Sequence, residues 1–433
     1  MNENLPPTRP RSVAAWYDPF IATAIIIGLL VTLLGTALTN AQLVVAITLV
    51  VSAYFFVSEI SRREWGPRPE RSVAAILDGT VTRFFGVLVG ISGILVAVWL
   101  FPEYDRGSSR ALIYEAAPLF LAIALPFSLL VTFITELIRG HAADGTYQFG
   151  LLARLRFSEM NGELLLNGVL EWLMRGIFVL INFLAASIFI GRLRSNGLPN
   201  FSEGFSSLVT SLDSFIFAII LLVILPGYLF ASRLIGTNIK KIDRTWFGWM
   251  ITLAAYSPLN AAVFTAWVTY RPLQDIYGET PVWIALSTDY PAILLALGTA
   301  IIAMAIVHLW GEAILGIRSS NLALRGIITN GPFAFTKHPV YVSKCFQWAF
   351  IFLPILNAVG ILDAVRSGIL FLLVCILFGA RALAEERLLA KDEGYVRYAL
   401  YMDRHSIFAP IGRLLPFMSF SWRYAYWKRN GEL

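Results

Sequence analysis

The sequence predicts an all-helical, polytopic membrane protein, and three observations carry that prediction. Of 433 residues, 57% are apolar and only 14% charged, against roughly 25% charged in soluble domains. Apolar runs reach the roughly 20 residues that a helix needs to cross a hydrocarbon core, and they lack the alternation of a barrel strand. The basic residues fall between these runs, as in a spanning protein. Lipid offers no partner to backbone N–H and C=O groups, so helices must satisfy them internally. Composition thereby excludes a secreted disulfide scaffold, a soluble dinucleotide-binding enzyme and a disordered chain. The expected location is a multi-pass position in the cell (inner) membrane.

About ten spans are expected, near 21–38, 41–60, 84–101, 112–138, 176–191, 211–232, 247–269, 291–316, 340–360 and 365–384. With the N-terminus in the cytoplasm, Arg106, Arg110, Arg192, Arg194, Arg271 and Arg366 fall outside, and the other 28 of the 34 Lys and Arg residues fall inside. This bias favours two cytoplasmic termini. It also accounts for the net charge of +6 without nucleic acid as a partner. The polar N-terminal stretch runs into an apolar segment with no clear cleavage site, so the first span is read as retained. Arg11-Ser12-Val13-Ala14-Ala15 recurs as Arg71-Ser72-Val73-Ala74-Ala75, with Asp18 and Asp78 following, which leaves a duplicated two-helix unit open. Glu136, near the end of the fourth span, is expected to snorkel. Residues 144–174 mix leucines with Arg154, Arg156, Glu159 and Glu163, as expected of an interfacial connector. Phe417 to Arg429 interleaves aromatic and basic residues and is expected to anchor at the headgroups.

Phosphate-binding loops, HExxH, paired CxxC and GxSxG are all missing, which removes support for an ATPase, a zinc protease or a hydrolase. No metal site is expected. Cys345 and Cys375 sit in apolar runs and read as small buried hydrophobes. Polar chemistry gathers towards the C-terminus. Gly331-Pro332 punctuates a loop, and Lys337-His338-Pro339 precedes an apolar helix. Pro339 suits a helix's first turn. A cation, an imidazole and helix N–H groups would then converge on one anion-binding spot, although a cytoplasmic helix end with a capping histidine reads equally well. After the tenth expected span, Arg381 is followed by adjacent Glu385 and Glu386. Neighbouring side chains diverge by about 100° on a helix, so one carboxylate can face the bundle while the other pairs with a basic residue. Within the eighth span, His308 and Glu312 share a face and either pair with each other or place Glu312 as a base or orienting group. On the tail, Arg404 and His405 are read as contacting either a lipid headgroup or substrate.

Taken in order, Gly331-Pro332-Phe333, Lys337-His338-Pro339-Val340-Tyr341, Glu385-Glu386-Arg387-Leu388-Leu389 and Asp392-x-x-Tyr395-x-x-Tyr398 resemble a bipartite signature. It is that of the isoprenylcysteine carboxyl methyltransferase-like and phospholipid methyltransferase-like membrane enzymes. The resemblance covers residues 291–415 and divides the chain into an N-terminal multispan region, 1–285, and a methyltransferase-like domain with a cytoplasmic tail, 286–433. It implies S-adenosyl-L-methionine as cofactor. It also implies a pocket formed by Gly331, Pro332, Lys337, His338, Pro339 and Tyr341, closed by Glu385 and Glu386, with Tyr395 and Tyr398 packing the lid. Glu312 and Arg404 are the candidate catalytic residues. Lys337 stands where the family usually has Arg, and Ser343 where it often has Gly, so a point charge replaces a bidentate fork. The implied acceptor is lipophilic and enters from the bilayer, among membrane lipids. Membrane sterol reductases share the scaffold and use NADPH, but their motif normally lacks the proline after the histidine. The competing class is a transporter or lipid-binding protein run by the N-terminal spans, for which Asn260 beside Pro258 marks a broken helix.

Overall fold

The computed structural model describes residues 9–102, 104, 109–256, 282–285, 287, 289–353 and 360–433. Among them, seven helices are long and apolar enough to cross a membrane. The first helix, α1 (Asp18–Leu33), has 16 residues and falls short of that length. It leads into α2 (Asn40–Ser61), which opens on a reciprocal capping box between Thr39 and Gln42. Ser72 caps α3 (Val73–Leu100), and α4 (Ser109–Arg139) returns. Asp144 caps the short α5 (Gly145–Ala153), and Asn161 caps the 35-residue α6 (Gly162–Asn196). Helix α7 (Phe205–Leu229) is buried along most of its second half. It forms one core with α1, α2 and α6 through Leu30, Leu43, Ile47, Ile190 and Leu222.

The C-terminal half begins with α8 (Trp246–Ala254) and the single turn α9 (Val282–Ala285). Helix α10 (Pro291–Leu315) starts with proline at its first position. It is followed by α11 (Pro339–Phe352), α12 (Ile361–Leu389), α13 (Glu393–His405), α14 (Ala409–Leu414) and α15 (Phe420–Arg429). A two-residue ladder pairs β1 (Lys241–Ile242) antiparallel with β2 (Ala323–Leu324). The expected span 247–269 and its Pro258 and Asn260 run into residues outside the description, as does the end of 340–360.

Contacts gather the basic loops at one end of the bundle. Arg62 pairs with Asp18 at 2.8 Å, and Arg318 makes a two-pronged bond to Glu59. The N-terminal stretch lies along the loop before α11, where Ser12 donates to Asn330 at 2.8 Å and Asn330 donates to Ala14 O at 2.9 Å. Arg233 reaches Gly140 O at 3.1 Å, and Lys241 Nζ reaches Lys391 O at 3.0 Å. Buried Arg325 donates to Gly227 O, Phe230 O and Thr237 O, which satisfies carbonyls left open at the end of α7. At the opposite end, Arg194 binds Leu34 O, Leu38 O and Asn40.

Two expectations change. Glu136 does not snorkel: its side chain is fully buried, with Arg71 at 2.7 Å and Arg83 and His141 each at 3.6 Å. Residues 144–174 are not one interfacial connector, because α5 packs into α3 and α6 starts at Gly162. Glycine allows that approach, which leucine spacing alone does not disclose. A Cβ at Gly86 would lie 1.8 Å from Thr146 O, and one at Gly150 would lie 1.7 Å from Thr82 O. Small residues let spanning helices meet backbone to backbone in this way. Gly150→Ala is therefore expected to cost about 1–3 kcal/mol of stability. An unchanged unfolding midpoint in a detergent titration would refute that packing. The repeated pentapeptides also differ in use, since Ser72 caps α3 while Ser12 binds Asn330 ahead of α1.

Candidate functional site

The site is assembled from three stretches that the fold brings to the basic end: the loop and first turn of α11, the end of α12, and the tail helices α13 and α15. Gly331 opens a short 3-10 turn with φ of +58°, a left-handed conformation that glycine adopts without strain. That geometry also lets the turn press against Trp310 and Ile314 of α10. Pro339 occupies the first position of α11 and is buried. His338 precedes it, and its ring stacks nearly parallel on Tyr341 at 5.5 Å.

The two acids at the end of α12 divide their roles. Glu386 is buried among three basic side chains: Lys337 Nζ at 3.0 Å, His338 Nε2 at 3.1 Å, and the Arg423 guanidinium. A carboxylate acceptor makes His338 Nε2 the donor. Glu385 is partly exposed, accepts the Tyr341 hydroxyl at 2.8 Å, and lies 3.8 Å from His338 Nδ1. Adjacent glutamates thus face different surroundings, as the turn angle of a helix requires.

Arg381, one turn earlier, pairs with neither. It binds the Asn321 amide oxygen and lies over the rings of Tyr341 at 4.9 Å and Tyr256 at 5.0 Å. Asn321 in turn donates to Tyr228 at 2.6 Å and Tyr256 at 2.9 Å. Asn321, Tyr341, Arg381 and Glu385 line a pocket of about 30 Å3.

The tail closes over this cluster. Tyr395, Tyr398, Phe420 and Trp427 form one small core, and Tyr398 donates to Phe333 O at 2.7 Å, tying α13 to the Gly331 turn. Asp403 caps α15 by accepting from Phe420 N at 2.9 Å and Ser421 N at 2.7 Å, and it lies 3.5 Å from Lys337. The Tyr395 hydroxyl is buried with no hydrogen-bond partner among the described residues, as is the Trp310 indole N–H. Burial and the carboxylates of Glu386 and Glu385 push the Tyr395 phenol well above its ordinary range, so it stays a neutral donor.

Gly331, Pro332, Lys337, His338, Pro339, Tyr341, Glu385, Glu386, Tyr395 and Tyr398 therefore come together. Arg404 does not: it is exposed on α13, turned away from the buried face that Tyr395, Tyr398 and Met402 present. Asp403 occupies the inward position instead. His405 is likewise exposed and stacks on Tyr401. Glu312 lies within electrostatic reach of Lys344, Arg381 and Glu385, with His308 Nε2 3.9 Å away. The aromatic and basic residues from Phe417 to Arg429, expected to anchor at the headgroups, do not all face outward. Trp422 and Tyr426 are exposed, but Phe420, Arg423 and Trp427 turn inward. The aromatic spacing of that helix was the available signal for the inward face.

No family model, no curated protein and no solved structure matches this chain.

Proposed function

We propose that this protein is an integral membrane S-adenosyl-L-methionine-dependent methyltransferase acting on a lipophilic acceptor, an isoprenylcysteine-type carboxylate or a lipid, at the cytoplasmic interface. The observation that carries this reading is the meeting of Lys337-His338-x-x-Tyr341 with Glu385-Glu386 at the end of the bundle where the basic loops collect. The same gathering of loops supports ten crossings with both termini cytoplasmic, because residues 9–14, 62–71, 230–245, 318–338 and 385–405 share that end.

The donor set suits the cofactor. Glu385 keeps a partly exposed carboxylate, with Tyr341 on one oxygen, for an ammonium group or ribose hydroxyls, a charge-assisted contact. Tyr395 and Trp310 bring two buried donors that lack partners among the described residues. Glu386, with cations at both oxygens, positions Lys337 and His338 rather than touching cofactor. Because a pocket of about 30 Å3 is far smaller than the roughly 300 Å3 of a small-molecule site, binding requires a wall to move. Thr252 of α8 and Ser320, Asn321 and Leu322 ahead of β2 line the pocket together with Ala384, Glu385 and Leu388 of α12, so α8 or that loop is the wall that would move.

When bound, S-adenosyl-L-methionine supplies an electrophilic sulfonium methyl. The protein's work is alignment and exclusion of water. A carboxylate acceptor needs no base, whereas a thiol or ammonium acceptor would pass its proton to Glu312.

Calorimetric titration of the detergent-purified full-length chain tests the cofactor. Saturable binding of S-adenosyl-L-methionine and its demethylated product is expected, weakened at least about tenfold in His338→Ala and Glu385→Gln. Binding of neither compound, or equal binding by the folded variants, would overturn the proposal. Loss of methyl transfer to prenylated peptides and lipids in those variants is the second readout.

A further inference from the structure

A cavity of about 410 Å3 lies in the N-terminal half, walled by α2, α3, α4, α6 and α7. It falls within the roughly 300–1,000 Å3 typical of small-molecule sites. Its walls are of two kinds. Val44, Ile91, Phe120, Leu180 and Phe183 contribute to an apolar body, while Arg83, Asp144, Glu171, Arg175 and Arg233 supply charge from the basic end of the bundle.

The charges do not cancel. Arg83 is taken by Asp144 and Glu136, and Arg175 pairs with Glu171 at 2.6 Å. Arg233 donates to one backbone carbonyl, Gly140 O, and forms no direct ion pair among the described residues, with the carboxylates of Asp144 and Glu136, already engaged by Arg83, within electrostatic reach. Two further guanidinium groups stand behind it. Arg139 is within electrostatic reach of Arg233 and of Arg63, and Arg63 packs against Gly236. Neither Arg63 nor Arg139 forms an ion pair among the described residues. Arg63 Nε, and Nε and Nη2 of Arg139, are buried with no hydrogen-bond partner among the described residues. The Thr48 hydroxyl, 2% exposed on the cavity wall, also lacks one. Buried donors without partners are rare and costly, and a set of cationic ones beside an apolar chamber calls for an anion attached to an apolar body.

We propose that this cavity binds an anionic lipid, with its tail among the apolar walls and its phosphate at Arg233, backed by Arg139 and Arg63. The proposal gives residues 1–285 a role of their own and does not depend on methyl transfer. A guanidinium suits phosphate because its fork offers paired donors.

Dodecyl phosphate is the probe, titrated into the full-length protein in dodecyl maltoside and read by native mass spectrometry and calorimetry. One saturable site is expected. Inorganic phosphate and added dodecyl maltoside should leave it unoccupied, since each supplies only half of the ligand. Arg233→Gln should weaken binding at least about tenfold, while Arg233→Lys retains most of it. Ala117→Phe, which fills the apolar wall, should abolish it. An unfolding midpoint and a detergent gel-filtration profile of Arg233→Gln and Ala117→Phe like those of the parent serve as the control for an intact fold, whatever the C-terminal site binds. Undiminished probe binding in Arg233→Gln and Ala117→Phe would overturn the proposal, as would the absence of any saturable site. Displacement of the probe by inorganic phosphate would overturn the lipid assignment and leave a free-anion site.

Discussion

Replacing Glu386 by Ala is expected to destabilise the protein by about 3–5 kcal/mol, the cost of breaking a buried ion pair from one side. The side chain is 3% exposed, carries the countercharge for Lys337 and Arg423, and accepts from His338. Without it, two partly buried cations face each other and His338 loses its acceptor, with Asp403 alone left near Lys337. Glu386→Gln keeps the shape and an acceptor oxygen, so the loss should be smaller, and the difference between the variants measures volume and hydrogen bonding apart from charge. Arg423→Ala removes only the tail's contact. It should leave the α11–α12 pair standing and free α15, which is read as faster proteolysis after residue 406. A Glu386→Ala midpoint within about 0.5 kcal/mol of the parent, the range of ordinary surface substitutions, would show that the cluster is not held by this carboxylate.

The spans were legible because lipid imposes a simple rule on length and composition, and α2, α3, α4, α6, α7, α10 and α12 obey it. The pairing of the two C-terminal motifs was legible for a similar reason: a helical hairpin returns the chain to the side it left. What could not be read was the partition of polar contacts among several candidates. Arg381, Arg387 and Lys391 are near Glu386 in sequence, yet its partners are Lys337, His338 and Arg423, which come from elsewhere in the chain. Helix α15 shows the same limit. Its aromatic and basic residues suit a headgroup layer, and only the packing of Phe420 and Trp427 on Tyr395 and Tyr398 turns half of it inward. Glycine positions were silent for a different reason. Gly86 and Gly150 matter through what passes within reach of their missing side chains, and that neighbour, α5 against α3, is a tertiary fact. Arg404 and Asp403 make the point at one residue's resolution, since adjacent positions on α13 exchange the site for solvent.

The join between the two halves offers the second large effect. Glu59 ends α2 and Arg318 follows α10, 259 residues apart, and each side chain is 8% exposed. Two nitrogens of Arg318 meet the two oxygens of Glu59, and Arg62 adds a contact at 3.0 Å. Glu59→Leu leaves the buried Arg318 without its counter-charge and should cost about 3–5 kcal/mol, and Arg318→Leu should cost less, because Glu59 keeps Arg62. The double replacement removes both charges along with their desolvation penalty. It is expected to recover most of that loss and to lie within about 1–2 kcal/mol of the parent, because a buried pair is expensive to break but adds little over apolar packing. Detergent-denaturation midpoints of the four proteins read the coupling directly. Additive losses, with the double variant as weak as the sum of the singles, would mean that Glu59 and Arg318 act through separate partners. Strong coupling would establish the pair as the link between α2 and the loop that carries Arg325, Asn330 and Gly331. That loop carries the Gly331 turn of the candidate site, so a single Glu59→Leu change, far from Glu385 in sequence, should also weaken the proposed S-adenosyl-L-methionine binding while the double variant restores it.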